Sequence, residues 1–214
     1  LVEYGGSTIL SETPEIYGAE HLLIDRAQKE SDIKKLINQI KWWKHYTQIN
    51  GGSFDNNPSP GNKKGGLTTI LEKSLGAVAK SGNSTMINVL DYAEKISEKG
   101  FHFMDSPGYD PVSVTGQVAS GSNLICFTTG RGSCFGFKPT PSLKIATNTN
   151  MYNNLEEDMD INAGTIMDGI HSIEEIGTKI FYELIEVASG KKTKSEINGY
   201  GDDEFNPWVI GATM

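Results

Sequence analysis

Short apolar runs, each followed by a polar turn, alternate along this chain with stretches of helical period. Five runs rich in branched aliphatic or aromatic residues read as buried strands: residues 7–11 (STILS), 101–104 (FHFM), 123–127 (NLICF), 143–147 (LKIAT) and 158–162 (DMDIN). None is long enough for a core helix, and near-continuous apolar character is what a parallel sheet shows when helices cover both faces. Between them, Ser31 is placed to cap a helix that puts Ile33, Leu36, Ile37, Ile40 and Trp43 on one face and Lys34, Lys35 and Lys41 in water. Thr69-x-x-Glu72 and Ser172-x-x-Glu175 are capping boxes, and after the second the stripe Ile173, Ile176, Ile180, Phe181, Leu184, Val187 runs until Gly190 stops it. Residues 86–96 read as a further helix, so that four helices in a row between residues 19 and 100 form a layer beside the sheet. The expectation is an α/β fold over residues 1–190, followed by a polar, turn-rich tail, residues 191–214, that wraps the surface.

Composition removes several classes of function. The 214 residues carry 19 Lys+Arg against 27 Asp+Glu, a formal charge of −8, and no basic cluster exceeds a Lys pair. A nucleic-acid groove needs clustered cations to displace counterions from phosphates, so no nucleic-acid partner is expected. No apolar run approaches the ~20 residues that span a bilayer, so no membrane partner is expected either. The two cysteines, Cys126 and Cys134, make no CxxC, which suits a reducing cytoplasm. Cys126, inside an apolar run, reads as an inert core thiol. The chain opens at Leu1 without the charged and apolar regions of a signal peptide, and reads as a fragment of a longer polypeptide.

Chemistry is expected in the turns at the strand ends. Residues 7–11 lead into Glu12-Thr13-Pro14-Glu15, and 101–104 into Asp105-Ser106-Pro107-Gly108-Tyr109-Asp110. Residues 123–127 lead into Thr128-Thr129-Gly130-Arg131-Gly132, and 143–147 into Asn148-Thr149-Asn150. On one parallel sheet these tips converge on the carboxyl edge, where open α/β sheets bind ligands, and Glu12, Asp105, Arg131 and Asn148 become neighbours. The stretch NNPSPGNKKGG, residues 56–66, precedes the Thr69 box; its glycines, Lys63, Lys64 and the following helix amides favour an anion. It does not match G-x-x-x-x-G-K-[ST], so a nucleotide P-loop is not supported. Gly130-Arg-Gly132-Ser-Cys-Phe-Gly136 misses the dinucleotide fingerprint by one residue, and Pro139 and Pro141 forbid the long helix that should follow. Arg131 is better read as a bidentate clamp for a carboxylate. His21, just beyond the Glu12/Glu15 turn, is a candidate ligand or base, whereas His45, His102 and His171 read as structural. HEXXH and paired-cysteine zinc patterns are absent, so any metal would take scattered oxygen and nitrogen ligands, which suits Mg²⁺, Mn²⁺ or Fe²⁺.

The stretches GSTILSETPEIYGAEHLL, NNPSPGNKKGGLTTILEKSLGAVAKSG, FHFMDSPGYDPVSVTGQVASGSNLICFTTGRGS and PSLKIATNTNMYNNLEEDMDINAGTI resemble the carboxyl-terminal domain of the galactarate/altronate dehydratase family of sugar-acid hydro-lyases. The resemblance implies a Rossmann-like parallel sheet of at least five strands flanked by many helices, and a divalent metal, Fe²⁺ or Mn²⁺. It implies loss of water from a sugar acid: galactarate to 5-keto-4-deoxy-glucarate as first choice, altronate to 2-keto-3-deoxy-gluconate as second. Sulfolactate sulfo-lyases are relatives with a different leaving group. A non-catalytic sugar-acid-binding or assembly module is the rival reading, and a homodimer is the expected assembly of the full-length protein.

Such a reaction needs a stabilised carboxylate, a base for the α-proton and an acid for the departing β-hydroxyl. Laid on the loops above, these demands put the metal at Glu12, Glu15 and His21. Arg131 and the amides around Gly61 hold carboxylates, Lys63 or Asp105 is the base, and Tyr109 is the acid. Asn57, Asn62, Thr129 and Asn148, with the backbone at Gly130 and Gly132, complete substrate binding.

Overall fold

The computed structural model describes residues 1–54 and 68–211. The chain divides into two compact units, Leu1–Ser122 with Asn206–Met214, and Asn123–Phe205. Among the described residues all strands pair in parallel, but in two separate three-stranded sheets. This corrects the expected single Rossmann-like sheet of five or more strands. Alternation of strand and helix dictates that neighbours run parallel, yet it does not say which strands share hydrogen bonds. Here each sheet is completed by three strands, and the strand Ile125–Thr129 pairs with Ser142–Ala146 rather than with any described strand of the first unit.

In the first unit the order is β1 (Thr8–Ser11), β3 (Phe101–Met104), β2 (Met86–Leu90). Central β3 is buried at all four positions. Around the sheet lie α1 (His21–Ile24), α2 (Glu30–Ile49), α3 (Ile70–Ala79) and α4 (Asp110–Ser120). The core joins Leu36 and Ile40 of α2 to Met86, Val89, Phe101 and Phe103 of the sheet, with Ile16, Leu23 and Val78 closing it.

Met86–Leu90 is a strand, not the start of the helix expected over residues 86–96. Its buried positions, Met86, Val89 and Leu90, have helical spacing only because a register shift between Met86 and Asn88 breaks the alternation. α2 begins two residues earlier than expected, with Lys29 in extended backbone at its cap, so Ser31 lies within the first turn. At α3 the Thr69 hydroxyl accepts from Glu72 N as expected, while the Glu72 carboxylate reaches back to Thr68 N (2.9 Å) and Oγ1 (2.8 Å). Trp43, fully buried, stacks on Trp208 at 5.2 Å, and so ties the chain's last stretch to the first unit.

In the second unit the order is β4 (Ile125–Thr129), β5 (Ser142–Ala146), β6 (Ile161–Asn162), with β5 buried at all five positions. α5 (Thr149–Asn154), α6 (Ile173–Ala188) and α7 (Lys194–Asn198) accompany it. Leu184 and Val187 of α6 pack on Leu143, Ile145 and Ile161. Ser172 makes the full capping box expected of it, and Thr193-x-x-Glu196 makes a second one that starts α7 within the tail. Cys126 corrects the core-thiol expectation: it is exposed. No helix among the described residues is long and apolar enough to cross a membrane.

Candidate active site

Register decides which residues stand at the carboxyl edge of the first sheet. Ser11 pairs with Met104 and Met104 with Leu90, so the next residues, Glu12, Asp105 and Asp91, are the tips of three adjacent strands. Adjacent strands lie ~4.8 Å apart, so three acids share one short edge. Asp91 is hidden from a sequence reading because the strand before it has the spacing of a helix.

Glu12 is held in a conformation that side chains resist. Its φ is +79°, and Ala93 is the only other described non-glycine residue with positive φ. Such a residue costs on the order of 1–3 kcal/mol and persists only where its surroundings over-determine it. They do so here: Glu12 N donates to Ser106 Oγ (3.0 Å), Thr13 N to Ser106 O (3.0 Å) and Glu15 N to Glu12 O (2.9 Å). Beneath this turn Ser11 and Ser113 share a buried hydroxyl hydrogen bond of 2.7 Å, and Gln117 Nε2 donates to Ser11 Oγ at 2.6 Å. Burial, then the neighbouring carboxylates of Glu15 and Asp110, push the Glu12 carboxyl up to about 8; Lys80 and Lys73 pull more weakly the other way. At neutral pH Glu12 therefore keeps its proton. Asp110 is raised as well, first by partial desolvation and then by Glu15.

The other two residues expected at the metal behave differently. Glu15 is buried and its two oxygens meet Lys73 Nζ at 2.9 and 2.7 Å. Gly108 presses against the same carboxylate, since a Cβ there would stand 2.8 Å from Glu15 Oε1. His21 opens α1 and is exposed. Among the described residues no three His, Cys, Asp or Glu side chains are grouped to hold a metal ion. Glu12 and Glu15 are brought together; a ligand set for Fe²⁺ or Mn²⁺ is not.

Asp105 occupies the second tip. Its Oδ1 accepts from the Thr13 hydroxyl and from Trp43 Nε1 (2.7 Å). Burial raises its carboxyl above the usual range, with Asp91 adding to the rise, while those two hydrogen bonds favour the ionised form. Asp105 lines a cavity of about 610 Å³ together with Asp91, Gln39, Lys34, Lys35 and Trp42. Gln39 Oε1 is buried there without a hydrogen bond, and Trp42 is 43% exposed. An acceptor without a hydrogen bond among the described residues, two acids, two lysines and an aromatic face in one lining suit a polyhydroxylated anion. Lys35 is already engaged by Asp91 (3.2 Å) and Glu94 (2.9 Å). Tyr109 stands before α4 and is 46% exposed. Asn57, Gly61, Asn62 and Lys63 lie outside the described residues.

The remaining expected residues belong to the second unit, on a sheet of their own. Thr129 Oγ1 accepts from Arg131 N (3.3 Å) and Gly132 N (3.1 Å). Asn148 Nδ2 donates to Gly130 O (2.8 Å), and its Oδ1 caps α5 through Met151 N (2.8 Å). Gly132, at φ +89°, leaves room for Leu155, whose Cδ1 would lie 2.0 Å from an added Cβ. The Arg131 residue is exposed, and its guanidinium has no hydrogen bond or ion pair among the described residues. The four tips expected at one sheet edge thus divide: Glu12 and Asp105 end strands of the first sheet, Arg131 and Asn148 follow strands of the second.

Sequence comparison bears on what these edges serve. The chain is 43% identical over 192 residues to galactarate dehydratase (L-threo-forming) of Escherichia coli K12, covering 90% of this chain and 37% of that protein. It is 40% identical to altronate dehydratase of Bacillus subtilis 168, covering 94% of this chain and 40% of that one. It is also 30% identical to the beta subunit of (2R)-sulfolactate sulfo-lyase of Chromohalobacter salexigens, covering 94% and 52%. The chain therefore spans about two fifths of the length of the dehydratases it matches. Residues 1–213 match the model of the carboxyl-terminal region of D-galactarate/altronate dehydratases, and the chain belongs to that family.

Proposed function

We propose that this chain is the carboxyl-terminal part of a sugar-acid hydro-lyase that dehydrates galactarate, with altronate as the alternative substrate. The observation that carries the reading is Glu12: a strained carboxyl at a sheet edge that keeps its proton at neutral pH. Pairs of acids whose environments push their protonation apart are how one site performs acid and base steps together. Glu12 is the proton donor to the departing β-hydroxyl. Asp105, on the adjacent tip, where burial raises the carboxyl and the bonds from Thr13 and Trp43 oppose that rise, is the base that takes the α-proton. The C–H and C–O bonds break, water leaves, and the enol tautomerises to the keto acid. Trp42, Gln39 and Lys34 of the neighbouring groove hold the polyhydroxylated chain. The described residues offer no ligand set that fits Fe²⁺ or Mn²⁺.

Keto-acid formation by the full-length protein from galactarate, altronate and sulfolactate, with Glu12→Gln and Asp105→Asn beside it, tests the reading. Both variants should fold and lose most of their turnover. A non-catalytic binding or assembly role predicts undiminished turnover in both.

A further inference from the structure

The second sheet holds two buried polar groups without a hydrogen-bond partner among the described residues. Ser142 opens β5 and Lys144 follows two residues on, so both side chains leave the same face of the strand. Both residues are fully buried, and neither Ser142 Oγ nor Lys144 Nζ has a hydrogen-bond partner among the described residues. Buried polar groups are normally satisfied, and an ammonium more stringently than most.

Ser142 lines a cavity of about 280 Å³, with Ser195, Lys192, Lys138, Glu196 and Tyr200 on its walls. The Tyr200 ring centroid lies 5.8 Å from Lys144 Nζ, so this one side chain borders both the cavity and the ammonium. Two lysines, Lys138 and Lys192, stand on the wall. Glu196 is the only carboxylate on the wall, and Thr193 N (2.9 Å) and Oγ1 (3.0 Å) already engage it. Lys138 is shared with Asp202 at the surface. The carboxylates whose charge acts on Lys144, Asp158 and Asp160, form no hydrogen bond with its Nζ. Asp160 is taken by the backbone N–H groups of Lys144 (2.7 Å) and Lys194 (2.8 Å), and Asp158 Oδ1 is itself buried without a hydrogen bond.

We propose that this cavity binds a small oxyanion, the carboxylate or phosphate of a compact molecule, through Ser142 Oγ, with the buried Lys144 ammonium, which meets the same Tyr200 ring, supplying positive charge nearby. Its volume lies just below the ~300–1,000 Å³ of ordinary ligand pockets, which limits the ligand to a compact one. It sits at the opposite end of β5 from Asn148 and does not depend on the dehydratase reading.

The test is thermal denaturation of the full-length protein in rising sodium phosphate or sodium malonate, against sodium chloride at equal ionic strength. A saturable stabilisation by one of the two anions is expected, and which anion gives it identifies the ligand as a phosphate or a carboxylate. Lys144→Met should weaken the apparent affinity ~10-fold or more, and Ser142→Ala several-fold. If Lys144→Met does not fold, Ser142→Ala decides, because it deletes a hydroxyl that bonds to nothing. No saturable response to either anion, or a response unchanged in Ser142→Ala, overturns the proposal and leaves the cavity to water.

Discussion

Both units of this chain set polar loops past the carboxyl ends of a three-stranded parallel sheet, but register gives the two edges opposite chemistry. The first edge carries Glu12, Asp105 and Asp91 at its three tips; the second carries Gly130, Thr147 and Ala163 at the equivalent positions. In the second unit Thr129 and Asn148 satisfy loop backbone and cap α5, so their polarity builds the loop itself. In the first unit polarity is left in tension. Acids crowd one another, Glu12 holds a left-handed backbone, and its carboxyl keeps a proton that an ordinary glutamate would lose. Polar βα turns of similar composition can therefore differ in whether their groups crowd one another and hold a perturbed protonation, as Glu12 does, or serve only the backbone of their own loop.

The largest expected effect is on catalysis. Glu12→Gln in the full-length protein should lower kcat by roughly 10²–10⁴-fold, the usual worth of a positioned acid or base, while Thr129→Ser on the second edge changes it little. Equal losses at both edges would erase the contrast drawn here. Next comes backbone packing in the second unit. A Cβ on Gly164 would stand 2.2 Å from Thr149 N and 2.4 Å from Asn148 C, so Gly164→Ala should cost about 3 kcal/mol in denaturant unfolding.

The third effect is a pH dependence. The Glu12 carboxyl ionises near the ordinary 4.5 when unfolded and near 8 when folded. The folded state thus holds more protons between those values, and stability falls as pH rises through that window. Measured against Glu12→Gln at matched pH, the wild type should lose on the order of 2 kcal/mol between pH 5 and pH 9. Asn148→Ala, which removes a cap and a bond to Gly130, should cost about 1 kcal/mol with no such pH dependence. Arg131→Ala should shift stability by less than about 0.5 kcal/mol, since its guanidinium has no hydrogen bond or ion pair among the described residues.

Much of the fold was legible because it is local. Ser172 and Thr69 announced their helices through backbone amides three residues away, and the Leu36, Ile40, Trp43 stripe marked the buried face of α2. Strand pairing was not legible, because the hydrogen bonds that divide six strands into two sheets join residues far apart in sequence. Met86–Leu90 misled for a related reason: one register shift gave a strand the spacing of a helix, and with it hid Asp91. At the site, the loops bearing Glu12 and Asp105 were found from the turn chemistry at the end of each strand. The pairing of Glu15 with Lys73 was not, since Lys73 lies on α3, a helix whose packing no short-range pattern reveals. Nor did the sequence show that Thr129 and Asn148 were already occupied by the loop they belong to.

The protonation of Glu12 can be read directly. Carboxyl ¹³C resonances of the full-length protein, labelled at glutamate and assigned by their loss in Glu12→Gln, should include one that titrates with a midpoint near 8. A Glu12 resonance that titrates near 4.5 would mean an ordinary ionised side chain, and the first edge would lose its claim to be the working one.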